Sequence, residues 1–271
     1  MNPVSADPDP RVVDELRAAG CVFAEEEATL LQAEARTRGH LEFMVARRVL
    51  GEPLEQILGW AEFCGLRIRV VPGVFVPRRR TEKVVELART LLPSDHRPVV
   101  VDLCCGSGAI GVAVADGVPD LELHAADVDP DAVACARLNV TEGHVHEGDL
   151  YDALPRDLAG RIDLLVVNAP YVPTDEIALM PSEARLHEHH VALDGGGDGL
   201  DVHRRVAAGA ADWLAPGGSL LIETSRYQAD ETARACGEAG LSVQIIGPDD
   251  QGMVVVRAIS EPGGSSGTMS G

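Results

Sequence analysis

The order of apolar segments predicts a doubly wound α/β domain with a mainly parallel sheet, preceded by a small helical unit. Three observations carry this. Beyond Pro77, short apolar runs alternate with stretches of helical periodicity, the pattern of strands joined by crossover helices. The first of these runs leads straight into a glycine-rich turn, Cys104-Cys105-Gly106-Ser107-Gly108. The last two runs are separated only by Pro248-Asp249-Asp250-Gln251-Gly252, too short for a helix, so the sheet ends in an antiparallel hairpin, an ending unusual for dinucleotide dehydrogenases.

From Pro10 to about Leu50, Val12, Val13 and Leu16, then Ala28, Leu31 and Ala35, then Leu41, Met44 and Val45 recur at three- and four-residue spacing and predict a bundle of helices. Gly51 and Pro53 end it. Ile57 to Val76 alternates apolar and polar residues around Gly65 and predicts a strand pair bridging two units. Strands are expected over Val99–Leu103, Leu121–Ala126, Ile162–Val167, Gly218–Glu223, Ser242–Ile246 and Met253–Ala258, with a weaker one near Val145. Helices should begin near Thr81, Gly108, Pro130, Leu200 and Gln228. The resulting division is a helical unit at 1–56, a β-hairpin linker at 57–76, the α/β domain at 77–260 and a Gly/Ser-rich tail at 261–271, expected to be disordered.

Composition narrows the function. The 271 residues are 45% apolar and 24% charged, ordinary for a folded globular chain. With 43 acidic residues against 23 Lys and Arg, the formal charge is -20, and the average field repels a nucleic acid. The first ten residues lack a basic, apolar leader, and no apolar run reaches the roughly 18 residues of a membrane span, so a cytoplasmic location and no membrane partner are expected. Six cysteines without a C-x-x-C pair read as reduced thiols. His187, His189 and His190 lack the i,i+4 spacing of a zinc pair and read as a surface loop, so no metal is expected.

The chemistry lies at strand ends. Gly106, Gly108 and Gly111 satisfy G-x-G-x-x-G, which suggests a nucleoside cofactor but does not distinguish a dinucleotide from a nucleoside with a sulfonium tail. About twenty residues on, Asp127 ends the second strand, where a carboxylate can accept from both ribose hydroxyls. Asp129 and Asp131 suit the start of the next helix. Asp149, after Gly148, can accept from an adenine amine while Leu150 packs on the ring. After the buried run Leu164–Val167 comes Asn168-Ala169-Pro170-Tyr171. There Asn168 Oδ1 and the Ala169 carbonyl offer two acceptors for an NH2 group, Pro170 fixes the turn and Tyr171 supplies a flat face.

The order DLCCGSGAI, AADVDPDAVACARLN, GDLYDALP and NAPY, with VFVPRRRTE upstream and EHHVALDGGGDGLD downstream, resembles the HemK/PrmC family of protein-glutamine methyltransferases over about residues 10–258. The resemblance implies a Rossmann-like methyltransferase sheet, an amino-terminal helical domain that recognises the protein substrate, and a β-hairpin between them. It implies S-adenosyl-L-methionine as cofactor, S-adenosyl-L-homocysteine as product, and as partner a class I peptide-chain release factor methylated on the glutamine of its Gly-Gly-Gln loop. Carried over, Cys104, Cys105, Gly106, Ser107 and Gly108 would line the methionine portion, Asp127 the ribose, and Asp149 with Leu150 the adenine. Asn168, beside the cofactor, would with Ala169, Pro170 and Tyr171 grip the target amide as the family's Asn-Pro-Pro-Tyr does.

This chain departs from that pattern at Ala169 for proline, Cys104 and Cys105 for Gly and Thr, His189 for proline and Ser225 for glycine, the marks of a side branch. Two features admit a functional reading but read better as structural: Arg78–Arg80 as partners of the acidic start of the next helix rather than contacts to a protein substrate, and Gly195–Gly199 as a turn rather than a flexible loop covering the site. Competing readings are the same transfer to a different protein substrate, methylation of an adenine amine in nucleic acid, which the charge disfavours, a nicotinamide oxidoreductase, which leaves Asn168–Tyr171 unexplained, and a silent cofactor-fold module.

Overall fold

The computed structural model describes residues 7–248 and 252–261. The apolar periodicity of the amino-terminal segment yields α1 (Pro10–Ala18), α2 (Ala24–Glu34) and α3 (Arg38–Val49), and a further short helix, α4 (Leu54–Leu58), follows. Asp9 caps α1 by accepting from the Arg11 N–H, and Thr37 caps α3 through the His40 N–H. The helices share a core of Val12, Val13, Leu16, Leu31, Met44, Val45 and Ile57. Pro53 therefore starts a helix rather than ending the bundle, and Ile57 belongs to it instead of to the strand pair, because proline at the mouth of a helix removes no needed hydrogen bond.

The strand pair is shorter than its alternating pattern: β1 (Trp60–Phe63) and β2 (Leu66–Arg69) are antiparallel about Cys64 and Gly65. Next come α5 (Glu82–Thr90), β3 (Val99–Leu103), α6 (Ala109–Ala115), β4 (Glu122–Asp127), α7 (Pro130–Asn139), β5 (His144–Glu147), β6 (Ile162–Val167), α8 (Ser182–His187), α9 (Asp201–Trp213), β7 (Leu214–Ser225), α10 (Ala229–Glu238), β8 (Ser242–Ile246) and β9 (Met253–Ile259). β7 begins four residues before the expected Gly218, because Leu214 pairs with Ile162 ahead of a register shift. The expected hairpin is present as β8 against β9, although residues 249–251 of its loop lie outside the described residues, as does 262–271 of the predicted tail.

The seven strands lie in the order β5-β4-β3-β6-β7-β9-β8, parallel from β5 to β7, with β9 antiparallel between β7 and β8. Alternation places Val99, Val101 and Leu103 against the α9 and α10 face, while Val100 faces the core shared with α5 and α6. Both faces being covered, β3 and β6 are near-continuous apolar runs. The chain grows outward from β3 to β5 and then returns to β6 on the other side. That reversal opens a crevice at the carboxyl ends of β3 and β6, the usual ligand position in such sheets.

The helical unit is docked from two sides. Arg48 of α3 donates to Glu27 of α2 at 2.6 Å and to Glu183 of α8 at 2.5 Å. Gln56 of α4, buried, donates to the Val74 and His187 carbonyls.

Candidate active site

A cavity of about 600 Å³ occupies that crevice, within the range of small-molecule sites. Its wall includes Cys104–Ser107, Asp127, Asp149, Leu150 and Asn168–Tyr171, so the structure gathers nearly every predicted site residue around one space. Gly108 stands just behind the wall as the left-handed cap of α6.

On the β3 and β4 side the carboxylates of Asp127, Asp129 and Asp149 are already engaged. Asp127 Oδ2 accepts from the Gly106 N–H at 2.8 Å and Oδ1 from the Asp129 N–H at 2.9 Å, so the carboxylate binds the glycine turn to the start of α7. Burial pushes the Asp127 carboxyl up, and these backbone donors oppose the shift. Asp129 caps α7 by accepting from the Asp131 N–H at 2.9 Å. Gly111 lets α6 lie close to β3: a Cβ there would lie 3.0 Å from Asp102 Cβ and from Leu123 Cδ1, tighter than ordinary van der Waals contact. Its N–H donates to Asp102 Oδ2 at 2.8 Å. Asp102 is fully buried, and burial raises its pKa to about 8.

Cys104 occupies the left-handed region at φ 59°, a conformation that costs a non-glycine residue roughly 1 kcal/mol. This is the position at which the resembled family carries glycine. Burial first, and the carboxylates of Asp127 and Asp102 next, push both the Cys104 and Cys105 thiols well up, so each remains an uncharged thiol. Asp149 Oδ2 accepts from Arg205 at 2.7 Å, a contact the sequence did not announce, and Leu150 is buried beside it.

The β6 side is built differently. Asn168 is half-buried on the cavity wall, and among the described residues its side-chain amide has no hydrogen-bond partner. Tyr171 is held at both ends: its hydroxyl accepts from Arg80 at 2.8 Å, and its carbonyl accepts from Gln228 Nε2 at 2.9 Å. The Ser225 hydroxyl donates to Gln228 Oε1 at 2.8 Å, so the serine that departs from the family pattern orients the amide bracing Tyr171. Burial, then Glu223, pushes the Tyr171 phenol up and keeps it protonated.

The arginines correct the sequence reading. Arg80 lies 3.5 Å from buried Glu223 as well as on Tyr171, and Arg78 donates to buried Glu188 at 2.5 Å while its guanidinium covers the Phe75 ring at 4.7 Å. Their partners are thus far along the chain, because the turn Arg79–Thr81 aims these side chains into the crevice instead of along α5. The Gly195–Gly199 segment is more than a turn. Gly195 donates to the Val172 carbonyl at 2.9 Å and Thr174 to the Gly196 carbonyl at 2.9 Å, and a Cβ on Gly199 would come within 2.4 Å of the Tyr171 carbonyl. It is a rib packed on the acceptor loop.

His189 is anchored rather than a plain surface residue. Its N–H donates to the Gly73 carbonyl at 2.7 Å, a bond that the family's proline cannot make, and Nδ1 lies 2.6 Å from Asp129 Oδ2. Functional candidates that sequence reasoning missed are Phe75, Asn139, Arg205 and Gln228. Asn139 donates to the carbonyls of Arg69 and Ser107, joining β2 to the glycine turn. The available signals were a lone phenylalanine in VFVP within a chain only 3% aromatic, and the Asn closing ARLN.

Residues 65–205 match the methyltransferase small domain family. The chain is 41% identical over 192 residues to a release factor glutamine methyltransferase of Geobacter sulfurreducens, covering 69% of this chain and 66% of that one. It is 35% identical to the protein of the same name in Bifidobacterium longum, over 84% of this chain and 90% of that one. A 4-amino-L-phenylalanine/4-methylamino-L-phenylalanine methyltransferase of Streptomyces pristinaespiralis is 40% identical over 68% of this chain and 65% of its own. The fold is also that of a methyltransferase from Pyrococcus furiosus, with a TM-score of 0.55 at 17% identity over 73% of this chain and 90% of that one. The strand order, the crevice and these similarities agree: the chain belongs to the release factor glutamine methyltransferase family.

Proposed function

We propose that this protein transfers a methyl group from S-adenosyl-L-methionine to the side-chain amide nitrogen of a protein glutamine, in the Gly-Gly-Gln loop of a class I peptide-chain release factor in the cytoplasm. The observation that carries the reading is the contrast inside the cavity: one uncommitted amide, Asn168, stands on a wall where Asp127, Asp149 and Tyr171 are each braced by neighbours. The residues present suit the cofactor. Cys104 to Gly108 would border its methionine portion, Asp127 has carboxylate lone pairs left for ribose hydroxyls, and Asp149 with Leu150 would meet the adenine. When bound, the cofactor supplies an electrophilic methyl group on a positively charged sulfur and leaves as S-adenosyl-L-homocysteine.

An amide nitrogen is a weak nucleophile because its lone pair is delocalised into the carbonyl. Asn168 Oδ1 and the Ala169 carbonyl, as two acceptors, would accept hydrogen bonds from both NH2 hydrogens and turn the nitrogen toward the methyl group, so that orientation supplies much of the acceleration; the proton made acidic as the new N–C bond forms would leave to water. Tyr171, fixed by Arg80 and Gln228, would close the flat side of the acceptor. The uncharged Cys104 and Cys105 thiols do not compete for the methyl group, since the thiolate is the nucleophilic form. The helical unit, joined through Arg48 and Gln56 to the segment beside the cavity, would present the release factor.

Mass spectrometry of tryptic peptides from a release factor incubated with the protein and cofactor should find one methyl group on the Gly-Gly-Gln glutamine; an unmodified peptide after full incubation rejects this substrate. A second reading, a free aromatic amine as acceptor, is favoured by the similarity to the amino-phenylalanine enzyme and by the less constrained Ala169 turn. Offering 4-amino-L-phenylalanine in parallel separates the two.

A further inference from the structure

The sheet edge remote from the β8–β9 hairpin carries a feature that methyl transfer does not use. Three of the chain's nine histidines meet there: His124 on β4, and His144 and His146 on β5. His124 is the register partner of His144, Ala126 is that of His146, and residues two apart on a strand share a face, so all three imidazoles stand on one side of the sheet. The ring centroids of His124 lie 4.9 Å from those of His144 and 5.2 Å from those of His146, and the latter two are 6.3 Å apart. His124 is buried, His146 half-buried and His144 exposed.

The hydrogen bonds define the chemistry. His124 Nε2 lies 3.2 Å from Glu122 Oε1, and an ionised carboxylate only accepts, so the proton of a neutral His124 sits on Nε2. Glu122 is itself held as the anion by Arg97 and Arg161, each at 3.5 Å. His124 Nδ1 therefore presents a lone pair, and it faces His146 Nε2 at 2.9 Å. Two nitrogens bound at about 2.0–2.1 Å to a tetrahedral ion stand roughly 3.3 Å apart, so this pair has to open by only a few tenths of an ångström. A carboxylate on the far nitrogen of a ligating histidine is the arrangement that fixes ring orientation and raises basicity at metal centres.

We infer that His124, His144 and His146 form a binding site for a divalent transition-metal ion of the zinc class, with Glu122 orienting His124 and the fourth position open to water. On binding, the His146 ring takes its proton on Nδ1 and gives the Nε2 lone pair to the ion, while exposed His144 turns in about its side-chain bonds to complete the set. Nitrogen donors select zinc, nickel or copper over calcium and magnesium. The ion would cross-link the four-residue edge strand β5 to β4 just before the chain enters Gly148-Asp149-Leu150 at the cavity.

The test uses the full chain freed of metal with a chelator and then dialysed against zinc chloride. Wild type should retain one equivalent and melt about 5 °C higher or more with saturating zinc. His144→Ala and His146→Ala should each bind at least tenfold more weakly and lose that shift, whereas His189→Ala, at a separate histidine beside Asp129 and Asp131, should bind as wild type does. Exposed His144 makes its variant the safe one for folding. Absence of saturable zinc binding by wild type, or a loss under tenfold in either His144→Ala or His146→Ala, or an equal loss in His189→Ala, overturns the site.

Discussion

The two walls of the cavity are built on opposite principles. On the β3 and β4 side, Asp127 holds two backbone donors, Asp149 holds Arg205 and Asn139 ties the glycine turn to β2. On the β6 side, Asn168 is left without a partner among the described residues, and the bracing is applied to its neighbour Tyr171 instead. Under the proposed function, the difference separates binding from chemistry. A scaffold that must receive the same ligand every time gains from bonds made in advance, whereas a group that must grip a reacting amide loses if the protein satisfies it first.

That contrast can be broken at Asn168. Asn168→Ala should lower kcat about 100-fold or more while the cofactor Kd from calorimetry stays within about threefold; comparable losses in both would merge the two walls. Asp127→Ala should do the reverse, weakening cofactor binding about tenfold or more and costing about 1–3 kcal/mol in urea unfolding, since the Gly106 and Asp129 N–H groups lose their acceptor. Arg80→Met sharpens the acceptor side: kcat should fall about tenfold with cofactor Kd unchanged, and combining it with Tyr171→Phe should add little, because both remove one hydrogen bond.

Two smaller effects probe the prebuilt side. The folded state keeps a proton on Asp102 up to about pH 8 that the unfolded chain releases near pH 4, so this residue lowers stability progressively as pH rises through that window. Asp102→Asn retains an acceptor for the Gly111 N–H and removes the penalty. Its unfolding midpoint relative to wild type should therefore climb from pH 5 to pH 8.5; a gap independent of pH contradicts this. Cys104→Gly relieves a left-handed non-glycine residue, and a gain of up to about 1 kcal/mol in thermal unfolding is expected.

The sheet was legible because its signals are local. Val99–Leu103, Ile162–Val167 and Ser242–Ile246 begin and end where the apolar runs do, and Pro130 opens α7 as its fixed φ dictates. The positions of Asp127 and Asn168 followed from strand ends, which a crossover topology collects on one edge. Arg78 and Arg80 were misread for the opposite reason: their partners Glu188, Glu223 and Tyr171 lie about a hundred residues or more along the chain, beyond any pattern of spacing. Gln228 and the glycine rib escaped similarly, since each contributes by touching the Tyr171 backbone and not by a motif of its own.

Periodicity, turn residues and the order of strand-end motifs, all properties of a few consecutive residues, thus set the architecture and the place of the site without help from the rest of the chain. Which polar groups arrive already partnered, and which is left open, depended on strand register and loop packing. Hydrogen bonds act only over about 3 Å, and such distances between remote residues exist only once the sheet has closed.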